Sequence, residues 1–264
     1  MFKKVILLAL IGIIAYSCAT VPVTGRRQLN LVNNSEILPL SFEQYEQVLR
    51  ESKLSDHKEW TTMVMRSGEK IKRAAEEHMK EIGAEDQLEG YDWTFSLLEN
   101  ETVNAWCMPG GKVAFYTGIM PICQTETGVA VVMGHEVAHA IANHSRERMS
   151  QGMITNGLGS ALGTAMGSNP TLTQEIFMQS VGIGSQLGML KFSRTHESEA
   201  DKIGLIFMAL AGYDPREAPK FWQRMNDQAG GERPPEFLST HPNPDTRIDD
   251  LNTAMPEALK YYKK

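Results

Sequence analysis

The chain has 264 residues, of which 42% are hydrophobic and 22% are charged, and this suits a globular protein with one well-packed core. Its formal net charge is −6, and no basic stripe runs along the sequence. These features exclude nucleic acid as a partner.

The first eighteen residues, MFKKVILLALIGIIAYSC, form a leader in which two lysines precede an apolar run from Val5 to Ala15. This run is too short to span a bilayer, and the pattern predicts a signal peptide over residues 1–17. The ending AYSC resembles the lipobox at which bacteria cleave a lipoprotein and lipidate its cysteine, here Cys18. Ala19 rather than Asp favours the outer membrane under the lipoprotein sorting rule. The alternative is an ordinary signal peptide that is cleaved nearby, with no role for Cys18.

The segment that follows, residues 18–35, contains Pro, Gly and many polar residues, so we expect a lipidated N-terminus and a tether on the surface. Apolar residues three and four apart then predict helices over Phe42–Leu54 and Glu59–Ile82, with Asp56 as a cap between them. Three strand-like stretches come next, YDWTFSLLEN, VNAWCM and KVAFYTGIM, with a Pro-Gly-Gly turn before the third. They predict a small antiparallel sheet.

The second half of the chain is predicted to be helical, with a long helix from Thr125 to Met153 and a Gly-rich interruption, NGLGSALGTAMGSNP. The further predicted helices are a segment after Pro170, His196–Ala211, Pro215–Asp227 and Pro244–Ala258. We find no internal repeat in the sequence, so residues 36–264 are expected to form a single domain of the α+β class, mainly helical. Cys107 and Cys123 are expected to be small buried residues rather than a disulfide.

The stretch VVMGHEVAHAIANH, residues 131–144, places two histidines and a glutamate in an otherwise apolar helix. His135 and His139 are four residues apart, so both imidazoles project from one helical face and can bind one Zn²⁺. Glu136 lies beside them, where it can reach the water that attacks a substrate. The alternative, two core histidines that bond to backbone carbonyls, leaves the burial of Glu136 unexplained.

A catalytic zinc site of this kind needs a third protein ligand, and the later segment SRTHESEAD offers Glu197 and Asp201 on one helical face. HEVAH followed by an ExxxD helix resembles the zinc metallopeptidase family of the CAAX prenyl endopeptidase and HtpX, which are gluzincins with a zincin-like fold. Within it the chain is most similar to the periplasmic BepA- and LoiP-like lipoprotein branch. The resemblance implies that Glu197 is the third zinc ligand and that Asp201 orients a ligand histidine.

The neighbouring polar residues are assigned no part in metal binding. Glu199 and His196 are rotated away from Glu197 around the helix, so we expect them to be solvated. His144, five residues after His139, points to another face and is expected to be structural.

Two further segments fit the resemblance. Asn104-Ala105-Trp106 resembles the gluzincin edge strand whose backbone pairs with an extended substrate, the alternative being an ordinary core strand. His241, in the proline-rich segment STHPNPDTRI, matches a family histidine that reaches the zinc as a fourth ligand, although a role in stabilising the oxyanion is also open. Arg247 either holds this loop or stabilises charge at the scissile carbonyl.

The expected activity is zinc-dependent peptide hydrolysis with one zinc per chain and Glu136 as the general base. The resemblance implies a lipid-anchored enzyme on the periplasmic side of a bacterial envelope membrane. Its expected substrates are unfolded or misfolded envelope polypeptides, and an outer-membrane assembly machinery is a further expected partner. The alternative function is a zinc-stabilised periplasmic chaperone or assembly factor with latent protease activity.

Overall fold

The computed structural model describes residues 18–155, 170–181, 193–229, 236–241 and 246–263. The predicted signal peptide, nearly all of the Gly-rich interruption and the prolines that follow His241 lie outside the described residues. The strands are β1 (Cys18–Thr20), β2 (Arg27–Leu29), β3 (Thr94–Leu98), β4 (Ala105–Met108) and β5 (Lys112–Tyr116). The helices are α1 (Asn34–Glu51), α2 (Lys58–Glu81), α3 (Met120–Cys123), α4 (Glu126–Ile141), α5 (His144–Thr155), α6 (Pro170–Ser180), α7 (Arg194–Leu210), α8 (Glu217–Ala229), α9 (Phe237–Thr240) and α10 (Arg247–Ala258).

The predicted fold class is confirmed, since helices predominate and the sheets are small. The three-stranded sheet has the order β3-β5-β4, in which β5 runs parallel to β3 and antiparallel to β4. The expectation of a purely antiparallel sheet was therefore wrong for this sheet. The hairpin β4-β5 has the predicted Pro-Gly-Gly turn. Strand β3 pairs with β5 and not with β4, so β5 is the central strand. As a result β4 forms one edge of the sheet.

The N-terminal segment is a hairpin of β1 and β2, in which the backbone amide of Val21 donates to the carbonyl of Arg26 across 2.8 Å. Val21 is fully buried and Gln28 is almost so. Most of the other residues in 19–35 are half-buried or exposed, so the hairpin lies on the surface with Val21 and Gln28 packed inward. The next helix, α1, begins earlier than predicted, because Asn33 and Glu36 form a capping box at its start. The cap of α2 is His57 rather than Asp56.

The core is built around α4, which is buried over nearly its whole length and packs against α7 and α2. Gly134 on α4 faces Gly204 on α7, and a Cβ on Gly134 would lie 3.0 Å from the carbonyl oxygen of Gly204. The absence of side chains at this crossing lets the two helix backbones approach closely. The approach sets the distance between the two histidines of α4 and the acidic residues of α7.

The predicted long helix from Thr125 to Met153 is interrupted. It ends at Ile141, and α5 begins at His144 after Asn143, whose φ of +58° lies in the left-handed region. The break turns α5 away from the axis of α4 and carries His144 back toward His139. In the described part of the chain, no helix has the length and apolar content needed to cross a membrane.

Candidate metal centre

The described residues include one cluster of metal-binding side chains, formed by His135, His139, Glu197 and His241. One donor atom from each residue lies within 4.8 Å of the others, and all four residues are buried. The two α4 histidines are one helical turn apart, as their spacing predicts. Helix α7 supplies Glu197, and the short helix α9 ends at His241.

Several separations between the donor atoms are close to those of a tetrahedral site. The Nε2 atoms of His135 and His139 are 3.0 Å apart, and each is 3.4 Å from a Glu197 carboxylate oxygen. Atoms bound ~2.0–2.1 Å from a tetrahedral zinc lie about 3.3–3.4 Å from one another. Three imidazoles and one carboxylate are also ligands that zinc prefers. The residues therefore fit a zinc ion.

The side chain of His241 occupies the fourth corner. Its Nδ1 is 3.2 Å from His135 Nε2 and 3.1 Å from Glu197 Oε1, which are distances of the same size as those among the other three donors. Its Nε2 is 3.5 Å from Glu136 Oε1. The geometry thus places His241 as a fourth donor beside the glutamate rather than at a distance from the cluster.

Asp201 lies behind His135, on the side away from the cluster. Its Oδ1 is 3.0 Å from His135 Nδ1 and accepts a hydrogen bond from Arg247 Nη2 at 2.7 Å. The second terminal nitrogen of Arg247, Nη1, donates to Glu197 Oε2 at 3.0 Å. The guanidinium carbon lies 3.4 Å from the ring centre of Trp222. Arg247 therefore holds Glu197 and Asp201 in place, and the two roles considered for it from sequence stay predictions.

Burial and the charges around the cluster shift the pKa values of its side chains. Burial alone lowers the pKa of His135, but hydrogen bonds to Asp201 and Glu197 outweigh burial and raise its pKa to about 9. Burial opposes ionisation of Glu197, yet His241 and His135 hold the pKa of this carboxyl well below its ordinary value. The pKa of His139 is lowered far below the ordinary value by burial. Glu197 is therefore a carboxylate at neutral pH and His139 a neutral imidazole, the forms that bind a metal.

Glu136 is buried at the edge of the cluster. Its Oε1 accepts no hydrogen bond from any described residue, whereas the carboxylate accepts one from the backbone amide of Cys107. Burial raises the pKa of Glu136 above its ordinary value. A carboxylate with an oxygen available next to a metal cluster, and with increased proton affinity, is suited to accept a proton from water.

The predicted substrate strand is β4 together with Asn104, and it lies next to Glu136 at the edge of the sheet. Asn104, Ala105 and Trp106 are all buried. The backbone amide of Phe237, at the start of α9, donates to the carbonyl of Val103 across 3.0 Å. The segment that ends in His241 therefore already contacts the chain just before this edge strand.

Three residues that sequence analysis assigned to a solvated surface or to a structural role lie in a second buried cluster. Glu199 and His196, expected to be solvated, are 5% and 4% exposed. Glu199 contacts His144, which in turn contacts His139. Helical rotation correctly turns Glu199 away from the metal, but it gives no indication of what lies on the other side of α7. Only the break after α4 brings His144 there.

Comparison with known proteins gives the class. The model of peptidase family M48 matches residues 65–255, which is most of the chain, and the chain belongs to this family. All the residues of the metal cluster and Glu136 lie within the matched range.

Among its relatives, the chain is 36% identical over 186 residues to the mitochondrial metalloendopeptidase OMA1 of Saccharomyces cerevisiae, covering 67% of this chain and 51% of the relative. It is 31% identical over 243 residues to that of Schizosaccharomyces pombe, covering 90% and 66%. It is 33% identical over 163 residues to the beta-barrel assembly-enhancing protease of Escherichia coli, covering 59% and 33%. The chain thus spans between a third and two thirds of the length of these relatives.

Proposed function

We propose that this protein is a zinc-dependent endopeptidase of the periplasmic lipoprotein branch of the M48 family. The observation that carries the proposal is the pairing of a buried four-donor cluster with Glu136, whose Oε1 accepts no hydrogen bond from a described residue and lies 3.5 Å from His241 Nε2. A site that only stabilises a fold needs four ligands and no adjacent base. The presence of Glu136 therefore favours hydrolysis.

Each residue of the site has its own role in the proposed reaction. When bound, zinc supplies Lewis-acid activation of water and of the peptide carbonyl. Glu136 accepts the proton of the attacking water and returns it to the leaving amine, for which its raised pKa is suited. Arg247 and Asp201 keep Glu197 and His135 oriented through hydrogen bonds of 3.0 Å each. The outer edge of β4, which pairs with no strand in the described part of the chain, is where the backbone of an extended substrate would pair, although the residues of β4 are buried in this structure.

The position of His241 supports a restrained resting state. A fourth protein donor occupies the corner that hydrolysis needs for water, and the backbone bond between Phe237 and Val103 holds the His241 segment beside the edge strand. Substrate binding would then have to displace α9 and His241 together. The same observation favours a second candidate function, a zinc-stabilised chaperone or assembly factor with latent protease activity.

The proposed location is the periplasmic side of a bacterial envelope membrane, with lipidated Cys18 as the anchor. The support is the leader, which has two lysines, an apolar run and the sequence AYSC, whose cysteine is the first residue of β1. A mitochondrial targeting sequence, which the OMA1 relatives would suggest, is amphipathic and Arg-rich instead. The sorting rule at Ala19 favours the outer membrane.

The proposed substrates are misfolded or damaged envelope polypeptides, with an outer-membrane assembly machinery as a further partner. The support is the relative from Escherichia coli, which is named for enhancing β-barrel assembly. An edge strand recognises a substrate through backbone groups, so it favours unfolded segments over folded proteins whatever their side chains.

The decisive experiment compares Glu136→Gln with the parent protein, both loaded with zinc, on casein and on an unfolded outer-membrane barrel protein. We expect Glu136→Gln to keep its zinc and to cleave at least ~10²-fold more slowly, because proton transfer is lost while the ligands remain. Glu126→Gln, on the same helix but paired with Tyr213 and Lys70, is the matched control and should cleave at the parent rate. Parent activity that survives Glu136→Gln unchanged would overturn the proposal.

A further inference from the structure

A second buried polar cluster lies behind His139, on the side away from the metal. His144 Nδ1 is 2.8 Å from His139 Nδ1, and His144 Nε2 is 2.9 Å from Glu199 Oε2. His144 is fully buried and Glu199 is 5% exposed. His139, His144 and Glu199 therefore form one continuous row of hydrogen-bonding groups that ends in a carboxylate.

The direction of these hydrogen bonds follows from the metal cluster. The Nε2 of His139 faces the other donor atoms, so in the metal-binding form its proton is on Nδ1 and is donated to His144 Nδ1. His144 then carries its own proton on Nε2 and donates it to Glu199. Each ring nitrogen in the row has one role, and the row fixes both the tautomer and the ring orientation of His139.

The N-terminal hairpin holds the far end of the row. Arg26, at the end of the turn between β1 and β2, donates from Nε to Glu199 Oε2 at 2.6 Å, and the hydroxyl of Thr24 donates to Glu199 Oε1. Arg26 also pairs with Glu147 at 2.8 Å, and Glu147 lies 3.0 Å from His196. The Arg26 side chain is 23% exposed, so this end of the row is the part nearest to solvent.

We propose that His144 and Glu199 are positioning residues for the zinc ligand His139, and that Arg26 links the metal centre to the N-terminal hairpin. This inference rests on the metal centre of the proposed function. A carboxylate that accepts a hydrogen bond from a ligand imidazole raises its basicity and limits its rotation, and loss of such a partner costs roughly 10–100-fold in metal affinity. Here the carboxylate acts through a second imidazole.

The competing interpretation is a buried ion cluster that stabilises only the fold. Both interpretations predict a loss of stability when Glu199 is changed, because Glu199→Gln removes the carboxylate that contacts His144 and leaves Arg26 with Glu147 as its remaining ion pair. The positioning role alone predicts that Glu199→Gln loses more zinc affinity than a variant at another site whose fold is destabilised by the same amount. Zinc affinity and the stability of the zinc-free protein must therefore be measured on the same samples.

The test is competition with a chromophoric zinc chelator, applied to the parent, Glu199→Gln and Glu126→Gln. Glu126 is the matched control, since it is a partly buried carboxylate on α4 that bonds Tyr213 and pairs with Arg66 and Lys70. We expect a zinc dissociation constant about 10–100-fold higher in Glu199→Gln and unchanged in Glu126→Gln. Urea unfolding of the zinc-free proteins shows whether the two changes destabilise the fold equally.

Arg26→Gln and Arg26→Lys extend the test to the hairpin and replace Glu199→Gln if that variant fails to fold. Arg26→Gln should weaken zinc binding less than Glu199→Gln does, and Arg26→Lys should recover part of the loss because it keeps the charge. Parent-like zinc binding in Glu199→Gln and Arg26→Gln would overturn the inference. A parent that binds no zinc would instead overturn the proposed function, so the two failures are distinguishable.

Discussion

The two histidines of the motif helix are supported in different ways. His135 faces Asp201 directly, and Arg247 neutralises that carboxylate inside the core. His139 faces a second imidazole, and the carboxylate behind it is held by Arg26 from the N-terminal hairpin. The support of His135 is a direct contact with one buried carboxylate. The support of His139 passes through His144 and Glu199 to Arg26, whose side chain is partly exposed.

The difference shows that equivalent ligands in a sequence motif need not be equivalent in the protein. Burial lowers the pKa of both imidazoles. At His135 the hydrogen bonds to Asp201 and Glu197 outweigh burial and raise the pKa to about 9, whereas at His139 burial outweighs the hydrogen bond to Glu197 and the pKa stays well below its ordinary value. The support of His135 comes from helices of the core. The support of His139 depends on a segment that precedes the core helices in the chain.

The largest effect is expected from Glu197→Ala, which removes the ligand that both histidines contact. It should lose most of its zinc, because Glu197 is the one anionic donor among the four and Arg247 is left buried without one of its two carboxylates. Metal analysis of the purified variant measures the loss. Zinc retained at one ion per chain would mean that Glu197 is not a ligand.

The comparison between the two supports is tested by measuring zinc binding in Asp201→Asn and in Glu199→Gln. Both should weaken zinc binding within the range of ~10–100-fold, with the larger effect for Asp201→Asn because Asp201 contacts its ligand directly. Chelator competition on both variants gives the two ratios. The reverse order would show that the longer support is the stronger one.

How much of this arrangement the sequence predicts depends on how local each feature is. The spacing of His135 and His139 determines their common face, and the family resemblance identifies Glu197 and Asp201, because each relation stays within one helix or one motif. The row through His144 to Arg26 joins three distant segments and depends on the break at Asn143, which helical periodicity does not indicate.

The sheet shows the same limit. The hairpin β4-β5 is predicted from two strands and a turn that are adjacent in sequence. The parallel pairing of β3 with β5 joins two strands that have β4 between them in the sequence, so adjacency along the chain does not predict it. The residues singled out from short motifs therefore lie together in one cluster that could hold a metal, whereas the contacts between distant segments were not predicted.

His241→Ala separates the two roles of the fourth donor. If His241 restrains the resting enzyme, the variant should keep its zinc and show a several-fold faster basal cleavage of casein or of itself, because a corner opens for water. A role in stabilising the oxyanion predicts a rate lower by roughly 10²–10³. A parent rate with unchanged zinc would exclude both roles.

The smallest effect is expected in the acid stability of the more exposed support. Burial opposes the ionisation of Glu147, but hydrogen bonds from His196 and Arg26 lower its pKa from 4.5 to about 2. Because the folded-state pKa is depressed, the stabilisation by Glu147 is complete above pH 4.5 and is lost as pH falls toward 2. Urea unfolding of the zinc-free parent and Glu147→Gln should show a stability gap that closes over this window. Glu59→Gln, an exposed site, is the control, and a gap that widens on acidification would contradict the prediction.

X-ray absorption at the zinc edge of the zinc-loaded protein tests the metal centre most directly. The four described donors predict one zinc per chain with nitrogen and oxygen neighbours at ~2.0–2.1 Å and scattering from three imidazole rings, falling to two in His241→Ala. A sulfur neighbour at ~2.3 Å, or a spectrum without imidazole scattering, would contradict the assignment of zinc to His135, His139, Glu197 and His241.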